Sequence, residues 1–280
     1  MKGTGGNNIS NRRSVLRMIL VLPCILPLGV DRWRKGHYND RMPAYYTNVN
    51  YQNITMPSGK AMLGWDQEIK NVFYEIVERD CYRINELRNL ATVVDIGAHF
   101  GVFSARIHET NPQAKIVAVE CYDRNVQCLQ KNLEGIADVV PAALCYEGDP
   151  VLLVCPTVSG GGWVTTNNNP FDRRMYVESN LPLTKITLEE IMQKYGLERI
   201  SLLKLDCEGC EYDLFENCTC LDKVDMIVGE WHAYDWPHEI PWGHGRFQNV
   251  IHRKLPNWQA DFRVLDDRLG YFTLHNMDKK

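Results

Sequence analysis

Hydrophobic positions along this chain fall into short apolar runs that alternate with stripes of helical spacing. Val93-Val94-Asp95-Ile96 reads as a strand. It closes on the turn Gly97-Ala98-His99-Phe100-Gly101, and Val102 to Ile107 then opens a helix. Lys115 to Glu120 is a second apolar strand. Asp123 is placed as N-cap of a helix whose inner face is Val126, Leu129 and Leu133. Val139-Val140 gives a short third strand, and Val151 to Val154 another. Glycine and asparagine clusters at Ser159 to Trp163 and Asn167 to Pro170 read as loops. Thr187-Leu188-Glu189-Glu190 has the form of a capping box. It begins a helix with Leu188, Ile191, Met192 and Tyr195 on one face and Gly196 as its stop. Ile200 to Leu205 and Val224 to Val228 are the fourth and fifth core strands, with Asp213-Leu214-Phe215 on the helix between them. Phe262 to Leu265 and Tyr271 to Leu274, joined by a turn at Asp266 to Gly270, end the chain as a hairpin.

This alternation predicts an α/β fold with a mostly parallel central sheet and a C-terminal antiparallel hairpin. Upstream, Ile69, Val72, Phe73, Ile76 and Val77 mark a helix from Asp66 onward. The expected organisation is an N-terminal arm or signal- or anchor-like segment at 1–35, an extended lead-in rich in Tyr, Asn and Pro at 36–65, and one folded domain at 66–280. Open α/β sheets bind ligands at the carboxyl ends of their strands. Here Asp95, Glu120, Asp206 and Glu230 each close an apolar strand, which places four carboxylates on that edge.

A formal net charge of −4 argues against a nucleic-acid partner recruited by a basic surface. The expected partner is a small-molecule or glycan acceptor, with membrane contact only through the N-terminal segment. There, Arg12-Arg13 and Arg17 precede the apolar run Met18 to Val30, which contains Pro23 and Pro27. Its length suits a signal-peptide core better than a membrane span, and Arg12-Arg13-Ser14-Val15-Leu16 also resembles a twin-arginine export signal. Secretory or membrane-tethered location is thus expected about as readily as cytoplasmic location. The ten cysteines fit either buried reduced thiols or an oxidising compartment.

The loop lacks the middle glycine of G-x-G-x-x-G, so a pyrophosphate fits it poorly and a nicotinamide dinucleotide with it. A nucleoside with a small zwitterionic tail asks for less. Glu120 lies about nineteen residues after Gly101, near the offset of a ribose-binding carboxylate. S-adenosylmethionine meets that description.

Leu202-Leu203-Lys204-Leu205-Asp206-Cys207-Glu208-Gly209-Cys210-Glu211-Tyr212-Asp213 closely resembles the signature of the FkbM family of S-adenosylmethionine-dependent methyltransferases, K-[IL]-D-x-E-G-x-E-x. Val94 to Gly101, Ala118-Val119-Glu120, Val140 to Leu144 and Leu183 to Ile191 resemble it in the same order, over roughly residues 66–232. The resemblance implies a Rossmann-like class I methyltransferase fold and O-methylation of a sugar or natural-product hydroxyl. It also implies a cofactor site built from Asp95, Gly97, Ala98, His99 and Glu120; Gly101 is expected with them, and Asp206 is read as shared between cofactor and acceptor or as an acid that anchors its turn. Family members often carry Asn at His99 and Pro at Cys121. Cys207 and Cys210 stand where small or aliphatic residues are usual, so packing or a disulfide explains them better than zinc, and no metal site is expected.

Methyl transfer needs an aligned acceptor and a group to take its proton. Asp206, Glu208, Glu230 and His232 are the titratable candidates; His232 is expected to be the base, with Glu230 orienting it or binding acceptor hydroxyls. Trp231, Trp236, His238, Trp242 and His244 follow in one segment that reads as an acceptor wall or as a packed loop. A catalytically inactive secreted or tethered binding protein that keeps the fold is the alternative reading.

Overall fold

The computed structural model describes residues 51–146, 148, 150–154, 162–166, 177–178, 183–208, 210–232, 244–265 and 269–278. The expected N-terminal segment at 1–35, the loop residues 159–161 and 167–170, and Trp236, His238 and Trp242 lie outside the described residues, as does the side chain of His244.

In chain order, the first elements are strands β1 (Gln52–Thr55) and β2 (Ala61–Gly64), which pair antiparallel, and helix α1 (Glu68–Phe73). They are followed by β3 (Thr92–Ile96), α2 (Val102–Thr110), β4 (Lys115–Glu120), α3 (Asp123–Asn132), β5 (Asp138–Pro141) and β6 (Ala143–Leu144). A middle section holds β7 (Pro150–Val154), β8 (Gly162–Thr166), β9 (Val177–Glu178) and β10 (Lys185–Ile186). Helix α4 (Leu188–Tyr195), β11 (Leu202–Leu205), α5 (Cys210–Asn217), β12 (Met226–His232), α6 (His244–Lys254), β13 (Trp258–Val264) and β14 (Leu269–Asn276) complete the chain.

The central sheet runs β13-β14-β12-β11-β3-β4-β5. The five strands from β12 to β5 are parallel, and β14 and β13 add the antiparallel hairpin. Period-two alternation assigns side chains to its two faces. Val94, Ile96, Leu203 and Leu205 join residues of α4, α5 and α6 in one buried cluster. Val93, Ile116 and Leu202 join residues of α1, α2 and α3 in the other. Both faces are covered, so the strands read as continuous apolar runs. The order reverses between β3 and β11, which puts the ligand crevice at the ends of those two strands.

The structure departs from sequence expectation in three places. The described part of the lead-in, residues 51–65, is a hairpin fastened to α3: the Leu63 N–H donates to Asn132 Oδ1 at 2.8 Å, and Trp65 Nε1 donates to Asn125 Oδ1 at 2.8 Å. Gly162 to Thr166, with its first two residues expected in a loop, is strand β8, because pairing with β7 satisfies its backbone despite the neighbouring glycines. Asp123 is the first residue of α3 and not its cap; Tyr122 holds the cap position in extended conformation. The capping box of α4 is present in both directions, and Gly196 ends that helix at a φ of +60°.

Candidate active site

The β3–α2 turn is held from within. The Gly97 and Ala98 N–H groups both donate to the Val119 carbonyl, at 3.0 and 2.9 Å, and the Gly101 N–H donates to the Ala98 carbonyl at 2.8 Å. The His99 N–H donates to Glu120 Oε2 at 2.8 Å. These four amides are therefore not free to hold a ligand, contrary to the usual use of such a turn. What faces the cavity is Gly97, Ala98, His99 and the Glu120 carboxylate. The Cys121 and Tyr122 N–H groups donate to Glu120 Oε1 at 2.9 and 2.8 Å, so three amides aim this side chain. Burial raises the Glu120 pKa, and the amide donors work against that rise.

Asp95 and Gly101, expected to touch the cofactor, lie behind this surface. Asp95 is fully buried, accepts from Ser104 Oγ at 2.7 Å and sits 3.3 Å from Lys204 Nζ. Gly101 has a φ of +86°, and a side chain on it would meet Leu129 of α3 and Leu133 just beyond it. The missing side chain there leaves room for helix packing, and Asp95 pairs with Lys204. His99 also changes meaning. Its φ of +54° is left-handed, a region that Asn, Asp and His enter more readily than other side chains. Its ring lies against Phe100 with centroids 3.9 Å apart, and burial, helped by the Lys204 charge, pushes its pKa down to about 3. The imidazole is neutral, and the residue's clear task is to offer its N–H to Glu120.

Lys204, to which sequence reasoning gave no role, joins the two halves of the crevice. Its ammonium is buried in the sheet, donates to the Gly97 carbonyl at 2.7 Å and lies 3.5 Å from Asp206 Oδ2. Burial alone would lower its pKa, but Asp95 and Asp206 outweigh that and raise it. A lysine inside an otherwise apolar strand was the available signal. Tyr82 and Glu75 gave less. The Tyr82 hydroxyl donates to Asp206 Oδ2 at 3.0 Å, and Glu75 lines the cavity from a single π-helical turn, Tyr74–Glu78.

Asp206, Glu230 and His232 come together as expected, at the ends of β11 and β12. His232 Nε2 lies 3.6 Å from Glu208 and 4.0 Å from Glu230, and its Nδ1 lies 3.9 Å from Glu211. Burial would lower the imidazole pKa, but Glu208, Glu211 and Glu230 lift it to about 10. The surrounding carboxylates thus favour the imidazolium form of His232. Glu230 moves the other way: burial, with repulsion from Asp206, raises its pKa well above the ordinary carboxylate range. Asp206 has a lowered pKa, because Lys204, His232 and the Tyr82 hydroxyl overcome the effect of burial. Cys207 and Cys210 form a disulfide on the wall of the same cavity, which has a volume of about 270 Å³.

The sequence matches the Methyltransferase FkbM domain over residues 95–254, which contain the turn, Glu120, Lys204 and the carboxylate–histidine cluster. The chain belongs to the FkbM methyltransferase family. Methyltransferase sdnD of Sordaria araneosa is 28% identical over 181 residues, covering 53% of this chain and 68% of that protein. Methyltransferase 1 of Beauveria bassiana is 25% identical over 183 residues, covering 58% and 73%. Among solved structures, the METTL16 methyltransferase domain aligns with 84% of this chain and 89% of its own at 10% identity, with a TM-score of 0.44.

This FkbM protein is an S-adenosylmethionine-dependent methyltransferase. Its crevice suits that cofactor chemically. Glu120 keeps carboxylate acceptor capacity beyond its three amide bonds, as ribose hydroxyls require. Carboxylates outnumber Lys204 and His232 on the cavity wall, which favours a cationic sulfonium.

Proposed function

We propose that this protein is an O-methyltransferase acting on a hydroxyl of a small-molecule or carbohydrate acceptor, with Glu230 taking the hydroxyl proton. The observation that carries this reading is the pairing of Glu230, with its raised pKa, with the charged His232 at one end of the cavity. A carboxylate lifted toward neutrality is a stronger base than an ordinary one and is still available to accept a proton. Asp206, fixed by Tyr82 and Lys204, is positioned to orient the acceptor, and Glu208 to hold His232 in place. Glu120, Gly97, Ala98 and the His99 backbone form the cofactor side. S-adenosylmethionine, when bound, supplies the electrophilic methyl group. The excess of carboxylates disfavours phosphate-bearing acceptors, which supports an uncharged hydroxyl acceptor over a nucleic acid.

The test is incubation with methyl-labelled S-adenosylmethionine and fractionated glycans or small metabolites. Glu230→Gln is expected to lower kcat by on the order of 100-fold or more while leaving cofactor affinity nearly unchanged. His232⁺ lowers the Glu230 pKa, so His232→Gln should move the acid limb of kcat/KM to higher pH. Label transfer to nucleic acid alone, or an unaltered rate in Glu230→Gln, would sink the proposal.

A further inference from the structure

The turn from β11 to α5 bears on both sides of the crevice. Behind it, the Asp206 carbonyl oxygen packs against Gly97 so closely that any side chain there would overlap it. On the cavity side the turn presents Asp206 and Glu208, with Glu208 3.6 Å from His232. Glu208 holds a left-handed φ of +56°, which a glutamate adopts only under constraint. The Cys207–Cys210 disulfide closes a ring around Glu208, with Cα atoms 5.6 Å apart, and the Cys207 N–H donates to Glu211 Oε1 at 3.0 Å beside it. Both cysteines are only half-buried, and both line the cavity, so a solute that reaches the cavity reaches the disulfide.

We propose that Cys207–Cys210 is a thiol-exchange site opening into the methyl-transfer cavity, whose oxidation state sets how tightly the adjacent turn holds the cofactor. The co-reactant is a low-molecular-weight thiol. Its thiolate attacks one Sγ, the S–S bond breaks, and the other cysteine leaves as a thiolate. The thiolate of a second thiol then attacks the sulfur of the first, their S–S bond forms, and the cysteine first attacked leaves as a thiolate. Two electrons pass to the protein, each cysteine takes up one proton, and the small disulfide departs. With the ring open, Glu208 is free to leave its left-handed conformation, and the turn that carries Asp206 beside Gly97 loosens. The inference rests on the reading of this cavity as the cofactor site.

The experiment uses the full chain in buffers of reduced or oxidised glutathione. It measures S-adenosylhomocysteine affinity by calorimetry and counts free thiols by alkylation and mass spectrometry. In reducing buffer Cys207 and Cys210 should both be alkylated with the circular dichroism unchanged. The Kd should weaken on the order of tenfold and recover on reoxidation. The double variant Cys207→Ser/Cys210→Ser should show the weak Kd in both buffers, while Cys218→Ser should respond like the wild type. Equal Kd values despite alkylation would make the disulfide a static staple and overturn the proposal. So would failure to alkylate either cysteine in the folded protein. Absence of S-adenosylhomocysteine binding in both buffers is a separate outcome, which removes the cofactor site and this inference with it.

Discussion

At the residue scale, the crevice is governed by side chains that hold other groups in place. His99 shows this through its backbone. Asn at this position relieves the left-handed conformation better than His, and Ala tolerates it worse. His99→Asn should therefore keep stability and cofactor affinity, whereas His99→Ala should cost about 1 kcal/mol, read by urea denaturation. Lys204 is a stronger case. Lys204→Met would leave the buried Asp95 carboxylate without its cation and should destabilise by roughly 3–5 kcal/mol. Adding Asp95→Asn should restore part of that loss, and a double-mutant cycle of urea midpoints measures the coupling. The signature around Lys204 was readable in the sequence, but its partners were not. The contacts to Gly97 and Asp95 span about 107 and 109 positions and exist only once β3 lies beside β11.

At the element scale, the parallel strands and the helices between them were legible because each carries its own period or cap. The α4 capping box is local chemistry: Thr187 Oγ1 accepts from the Glu190 N–H at 3.2 Å, and Glu190 Oε2 accepts from the Thr187 N–H at 2.8 Å. Thr187→Ala should cost about 1 kcal/mol and lower the Tm without changing cofactor affinity. Strands β1, β2 and β8 were harder to read. Each is short, and each is specified by a partner strand more than by its own pattern. The π-helical turn that brings Glu75 to the cavity interrupts a stripe that otherwise reads as one continuous helix.

At the scale of the whole molecule, the carboxylates gathered at the strand ends tie stability to pH. The folded pKa of His232, about 10, lies above the ordinary value of 6.5. Its contribution is present in full below pH 6.5 and is lost as pH rises through about 10. Glu230, with a raised pKa, acts in the same direction: its ionisation costs stability as pH rises toward its folded value. Asp206, with a lowered pKa, acts oppositely and withdraws its contribution as pH falls below the normal carboxylate range. The cofactor-free protein should thus lose Tm by calorimetry between about pH 6.5 and 10, and His232→Gln should flatten that slope. A Tm independent of pH across this window would contradict the clustering of charge around His232.

By itself, the sequence determined the succession of strands and helices, the acidic residues at the ends of four core strands, and the motifs placing the chain among FkbM methyltransferases. These follow from periodicity, caps and short spacings, which act over a few residues. Tertiary structure alone decided what each acidic residue faces. It put Asp95 behind the crevice and Glu120 on it, although both end parallel strands. It raised the pKa of both His232 and Glu230, because burial and neighbouring charge come from strands, helices and turns far apart in sequence. It also closed the Cys207–Cys210 ring beside them, which spacing permits but only the fold of the turn brings about.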